Sequence, residues 1–148
     1  MEGRLSISVV IITLNRAEWL KDALTSLTRQ SRQPDEVVVV DNGSKDHSRD
    51  VVLGFNDRLN IKYVYETVRG IPHARNAGIR NATGDVIASI DDDCVADDDW
   101  LKKIEIPFIK DPHIGVVGGE VSYFKVGDGS VEAFYINNMG SRGRTGSK

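Results

Sequence analysis

Two acidic triplets lie close together in the stretch IASIDDDCVADDDW: Asp91, Asp92 and Asp93 after an apolar run, then Asp97, Asp98 and Asp99 before a tryptophan. Carboxylates packed this closely repel one another, and a bound cation relieves that repulsion. Hard oxygen ligands suit Mg²⁺ or Mn²⁺, ions that use one or two protein carboxylates and complete their shell with water and substrate phosphates. Each triplet also has a structural explanation. The first would serve as a solvated turn. The second would open a helix, where Asp satisfies free backbone N–H groups and complements the helix dipole. The elements that carry the triplets separate these cases.

Short apolar runs alternate with helix-like stretches. SISVVIIT (6–13) is a β-branched run of strand length. After Asn15, the residues Trp19, Leu20, Ala23, Leu24 and Leu27 recur at three and four, a helical stripe. EVVVVD (36–41) is apolar on both faces, as a buried parallel strand requires. SRDVVLGF is a short helix, and IKYVYE (61–66) a third strand. The pattern then predicts a helix over 70–82 despite Gly78, a strand over 85–90, a helix opening at 98–109 and a fifth strand-like segment over 114–124. The order β-α-β-α-β-α-β-α-β argues for an α/β sandwich with a mainly parallel sheet. Trp19, Leu24 and Leu27 are expected in the core, and Trp100 against its own helix. His73 is expected on the surface, His47 and His113 in loops, and Cys94 as a small buried apolar residue.

Parallel strands joined by helices put their carboxyl ends on one edge, where ligands bind. Past the first strand stand Thr13, Asn15 and Arg16, and past the second Asp41, Asn42 and Ser44. Glu66 and Arg69 follow the third, and Asp91, Asp92 and Asp93 the fourth; Arg75 and Asn76 sit in the helix between those two. This mixture suits a nucleotide and a metal better than an apolar ligand. On the same argument the first triplet belongs to the ligand edge and the second to a helix start, with Asp98 as a capping residue.

Bulk properties narrow the field. A net charge of −3 does not mark a general nucleic-acid binder. The runs VVII and VVVV are too short to span a bilayer. The N-terminus MEGRLSIS has no apolar signal region, and a lone Cys94 forms no internal disulfide, so a cytoplasmic setting is expected, with peripheral attachment at the inner face of a membrane left open. Residues 1–136 read as one domain, and 137–148, rich in Gly, Ser and Arg, as a flexible tail or truncated loop. Oligomeric state is not legible.

VVIITLNR, VVVVDNGSKD, GIPHARNAGIRNATGD and VIASIDDDC, in this order, resemble the family-two glycosyltransferases of the GT-A fold over roughly residues 6–125. That resemblance implies an inverting sugar transfer from a nucleotide diphosphate donor, most often UDP-linked, with Mg²⁺ or Mn²⁺. It implies donor contacts from Thr13, Asn15 and Arg16, from Asp41 and Asn42 at the base, and from Arg75 with Asn76 beside it. Leu14 stands where many members carry an aromatic residue, and Asn42 where many carry Asp. The Asp-x-Asp motif falls on Asp91 and Asp93, with Asp93 as metal ligand, Asp91 as a second metal or donor contact, and Asp92 or Asp91 on the ribose side. The general base of the family lies well downstream. Glu120 and Asp128 are the acids present there, and Glu120 is the weak catalytic candidate. The chain therefore reads as a donor-binding portion whose acceptor is unknown, polysaccharide, lipid carrier and protein all remaining open. A binding module or pseudoenzyme without transfer activity is the alternative. A nucleotidyltransferase would carry a Gly-rich loop after the first strand, and a phosphoryl-accepting receiver domain would carry acids there; TLNR supplies neither.

Overall fold

The computed structural model describes residues 4–119, 121–126 and 130–136. In chain order the elements are β1 (Ile7–Thr13), α1 (Ala17–Thr28), β2 (Glu36–Asp41), α2 (Ser48–Leu53), β3 (Ile61–Tyr65), α3 (Ile71–Asn81), β4 (Val86–Ser89), β5 (Cys94–Ala96), α4 (Trp100–Lys110), β6 (Val121–Val126) and β7 (Ser130–Ile136). Strands β3, β2, β1 and β4 form a parallel sheet in that order. The expected α/β architecture with a mainly parallel sheet is therefore present. No helix among the described residues is long and apolar enough to cross a membrane.

The two central strands explain the layering. Ile7, Val9, Ile11, Val37 and Val39 are fully buried and pack with Leu20, Leu24, Leu27, Trp100 and Leu101 from α1 and α4. The alternate residues Val10, Val38 and Val40 face the other way, against Ala74 and Ala77 of α3. A period of two along each strand thus feeds two cores, which is why β2 is apolar without interruption. Small residues let α3 sit close to the sheet. A Cβ on Gly78 would lie 2.4 Å from Val10 Cγ1 and 3.3 Å from Val40 Cγ2. This close approach accounts for a glycine in the interior of an amphipathic helix.

The structure departs from expectation after the fourth strand. Three residues, Cys94–Ala96, form β5, too short to show a period in sequence. It pairs in parallel with β7, which in turn pairs antiparallel with β6, so the chain carries a second sheet that the sequence pattern did not announce. Residues 114–119 are irregular, and the fifth expected strand begins only at Val121. Glu120, Asp128 and the expected tail 137–148 lie outside the described residues. Trp19 is 36% exposed rather than in the core.

Helix α1 keeps the two triplets apart. Arg16, just before it, bonds Asp92 and Asp93, while residues just after it hold the second triplet. Ser31 N–H donates to the Asp98 carbonyl at 2.8 Å, and Gln30 Nε2 to the Asp97 carbonyl at 2.6 Å. Twelve residues at 1.5 Å each put these ends about 18 Å apart. The helix-start reading of the second triplet holds, but Asp98 is not the cap: the N-cap position is Asp99, and no side chain caps the helix. The Asp97 carboxylate accepts the Asp99 N–H at 3.0 Å and the Lys103 ammonium at 3.2 Å. Asp98 makes only an exposed ion pair with Arg29 at 3.5 Å.

Gly78→Ala is expected to destabilise the chain by about 1–3 kcal/mol through overpacking, although Ala is the better helix former. Asp97→Ala is expected to cost about 1 kcal/mol, and Asp98→Ala less than about 0.5 kcal/mol. Denaturant unfolding of the three variants checks both statements.

Candidate functional site

The rim at the carboxyl ends of the parallel strands is held together by side chains that bond to backbone. Asn15 has φ +54, a left-handed conformation that Asn tolerates better than most residues. Its N–H donates to Ser44 Oγ at 2.9 Å, and its Oδ1 accepts the Lys45 N–H at 2.7 Å, tying the β1 loop to the β2 loop. Asp46 accepts the Ala17 N–H at 3.0 Å at the head of α1, and the Ser48 N–H and hydroxyl at 3.1 and 2.6 Å at the head of α2. These bonds hold its carboxyl below the usual range against its partial desolvation. One exposed acid thus anchors both helices beside Arg16.

Asp41 and Asn42 are buried, and their polar atoms are spoken for. Asp41 accepts the N–H groups of Gly43 and Ser44 at 3.1 and 2.7 Å on one oxygen, and the Tyr63 hydroxyl at 2.7 Å on the other. Burial and this bond push the Tyr63 hydroxyl up from its ordinary value. Asn42 Nδ2 donates to the carbonyls of Glu66 and Val68 at 3.0 and 2.9 Å, and its Oδ1 accepts the Gly70 N–H at 2.9 Å. Gly70 has φ +129, open to glycine and strained for any side chain. Asn42 and Gly70 together aim the first turn of α3 into the rim.

The acidic triplet after β4 divides by environment. Asp92 is 6% exposed. It accepts the Thr13 hydroxyl at 3.0 Å and Arg16 Nη1 at 3.3 Å. Burial, helped by the charge of Asp93, pushes its carboxyl above the usual range, against the pull of Thr13 and Arg16. Asp91 is exposed and Asp93 half-buried. Arg16 Nη1 also lies 3.2 Å from Asp93 Oδ2.

These groups line a cleft of about 520 Å³. Of the donor-side candidates, Thr13, Arg16, Asn42, Arg75, Asp91 and Asp92 line it, with Asp93 beside them. Asn15, Asp41 and Asn76 do not line it. The first two act on loop backbone, and Asn76 is exposed on α3. Sequence reasoning left Ile12, Gly70 and Ile71 out of the site and gave Arg69 a place on the rim only; all four line the cleft. Their signal was position: Arg69, Gly70 and Ile71 stand at the head of α3, where free N–H groups favour anions. A second cavity of about 460 Å³, on the far side of β4, is lined mainly by apolar and glycine residues.

The donor set fits a divalent cation. Carboxylate oxygens of Asp91 and Asp93 and the Cys94 sulfur lie within 4.8 Å of one another. Asp91 and Asp93 alternate past a buried strand, so two hard ligands stand on a stiff support. Cys94 is a poor third ligand. Burial, then the charges of Asp93 and Asp91, push its thiol up to about 12, so at neutral pH it is protonated and donates weakly to Asp93 Oδ1 at 3.8 Å. The remaining positions would fall to water and phosphate oxygen.

Two outcomes follow. Asp46→Ala is expected to cost about 1–2 kcal/mol, measured by thermal unfolding, because two helix heads lose one acceptor. The Cys94 thiol is expected to resist iodoacetamide at pH 8 in the folded chain and to react in denaturant, as read by intact mass; rapid labelling of the folded chain would contradict the burial and the raised thiol pKa.

The sequence matches the model of glycosyl transferase family 2 over residues 8–143. Validoxylamine A glucosyltransferase of Streptomyces hygroscopicus subsp. limoneus is 41% identical over 102 residues, covering 66% of this chain and 22% of that enzyme. The mannosyltransferase PcManGT from Pyrobaculum calidifontis, solved with GDP-Man and Mn²⁺, superposes with a TM-score of 0.66 at 28% identity, covering 84% of this chain and 36% of that one. S. aureus TarS 1-349 superposes with a TM-score of 0.66 at 24% identity, covering 89% and 47%, a likeness of fold alone. The chain spans less than half the length of each of these proteins. A parallel sheet with helices on both faces, a charged rim at its carboxyl edge and a family match over nearly the whole sequence place it together: the chain belongs to glycosyl transferase family 2 and has the GT-A fold.

Proposed function

We propose that the rim is the donor site of an inverting, metal-dependent glycosyltransferase that takes a sugar from a nucleotide diphosphate. The observation that carries this reading is one cleft holding Asp91 and Asp93 together with Arg16, Arg69, Arg75 and the head of α3. Two carboxylates match a divalent cation, and three guanidiniums with a helix N-terminus match a diphosphate. PcManGT, 28% identical, was solved with both a sugar nucleotide and Mn²⁺, which supports the pairing.

The geometry and the chemistry of the leaving group support the following roles. As the glycosidic bond breaks, charge grows on the departing diphosphate. A divalent ion at Asp91 and Asp93 would supply Lewis-acid stabilisation of that charge. Arg75 and Arg69 bind and orient the phosphates from the α3 side. Asp92, held by Thr13 and Arg16, keeps the triplet in place and offers the ribose side an acceptor. Leu14 and Ile12 give the base an apolar wall in place of an aromatic stack. Asp41, Asn42 and Asn15 shape the loops around the base, and Asn76 stands beside Arg75 outside the cleft. Inversion requires a carboxylate base on the acceptor side. Glu120 remains the candidate for that role, and the acceptor is a partner of unassigned chemistry.

Calorimetric titration of UDP, GDP and dTDP with and without Mn²⁺ tests the reading. One nucleotide is expected to bind with a requirement for metal, UDP first among them, and Asp93→Ala is expected to abolish that requirement together with the binding. Metal-independent binding, or unchanged metal-dependent affinity in Asp93→Ala, would overturn the assignment.

A further inference from the structure

Arg16 already pairs with two members of the acidic triplet, one of them the shared candidate ligand Asp93. Its Nη1 lies 3.3 Å from Asp92 Oδ1 and 3.2 Å from Asp93 Oδ2. The second oxygen of Asp93 receives the Cys94 thiol, so both are engaged within the chain. Arg16 is poorly restrained by packing, its side chain being 52% exposed, and it is the last residue before α1. Asp92, by contrast, is buried and bound to Thr13. Of the two contacts that Arg16 makes, the one to Asp93 is therefore the one that opens readily.

We propose that Arg16 competes with the divalent metal for Asp93, which makes tight metal binding conditional on the nucleotide diphosphate. The inference rests on the donor-site reading above. A cation reaching Asp93 Oδ2 meets the guanidinium already there, and two cations on one carboxylate repel. Metal alone must displace the arginine into water. A diphosphate gives the arginine an anionic destination in the same cleft, where a guanidinium binds phosphate in bidentate fashion. Metal and nucleotide then favour each other, and by linkage each raises the affinity of the other by the same factor. Arg16 on this account is a positioning residue: it orders the loading of the site, offsetting part of the charge on Asp92 and Asp93 until the donor arrives.

Mn²⁺ titration, followed by the electron paramagnetic resonance signal of the free ion, separates the possibilities. It is run on the wild-type chain and on Arg16→Gln, Arg16→Lys and Arg75→Gln. Without nucleotide, Arg16→Gln is expected to bind Mn²⁺ about fivefold more tightly than wild type, the size of a partly exposed ion pair. Arg16→Lys, which keeps the charge, is expected to stay within about twofold of wild type. Arg75→Gln removes the same charge from the same cleft without touching the triplet's ion pairs, and should gain clearly less. With whichever of UDP, GDP or dTDP the wild type takes, the advantage of Arg16→Gln is expected to shrink or vanish. Unchanged or weaker Mn²⁺ binding by Arg16→Gln in the absence of nucleotide overturns the competition, as does an equal gain in Arg75→Gln, which would reduce the effect to a general field. Wild-type chain that takes no Mn²⁺ even with nucleotide overturns the donor-site reading itself, and the two failures are thereby told apart.

Discussion

The hydrogen bond from the Thr13 hydroxyl to the buried Asp92 carboxylate joins the end of β1 to the turn after β4, and the site depends on that joint. Those two strands are neighbours in the sheet, with Ile7 opposite Val86 and Val10 opposite Ser89. The joint carries their register on past the last strand pair. It leaves Asp91 and Asp93, one residue to either side, projecting from a fixed point. A buried carboxylate is costly unless it is bonded. Thr13 and Arg16 meet that requirement, and burial still holds the Asp92 carboxyl above its usual range. The triplet is thus three residues with three environments: an exposed carboxylate, a buried anchor and a half-buried carboxylate.

Around this joint, polar side chains shape backbone more often than they present themselves to a ligand. Asn15, Asp41, Asn42 and Asp46 together bind backbone groups in five other loops or helix heads. Through Asn42, the β2 loop sets the position of Gly70 and so of the α3 N-terminus. Through Asp46, the heads of α1 and α2 share one carboxylate. A rim of this kind has its loops cross-linked to one another through backbone hydrogen bonds. Arg16, Arg69 and Arg75 lie in the cleft this lattice encloses.

The parallel sheet and its rim were legible because long β-branched runs and helical stripes have strong periods, and because the order of elements dictates where strand ends meet. Gly78 looked like a flaw in α3 until the closeness of Val10 and Val40 explained it. What lay beyond sequence reasoning was short or tertiary. Strand β5 has three residues and no period. Trp19 sits on the stripe of α1 yet at its exposed margin. Asn15 and Asp41 carry the right chemistry for ligand contact, but their atoms are consumed by neighbouring backbone, a fact that depends on loops meeting in space. For the second triplet, proximity to a helix start was readable; that Asp97 rather than Asp98 provides the acceptor was not.

The proposed donor site requires that a divalent metal be held by the first aspartate triplet and not by the second. Paramagnetic broadening of backbone amide signals by substoichiometric Mn²⁺, in the presence of the nucleotide, reads this directly, since the broadening falls steeply with distance from the ion. The account predicts loss of signal centred on Asp91, Asp92 and Asp93, spreading to Thr13, Arg16 and Gly70, and weakening from Asp97 towards Asp99 and Ser31. Broadening centred on Asp97–Asp99, or spread evenly over the exposed acids, would contradict it.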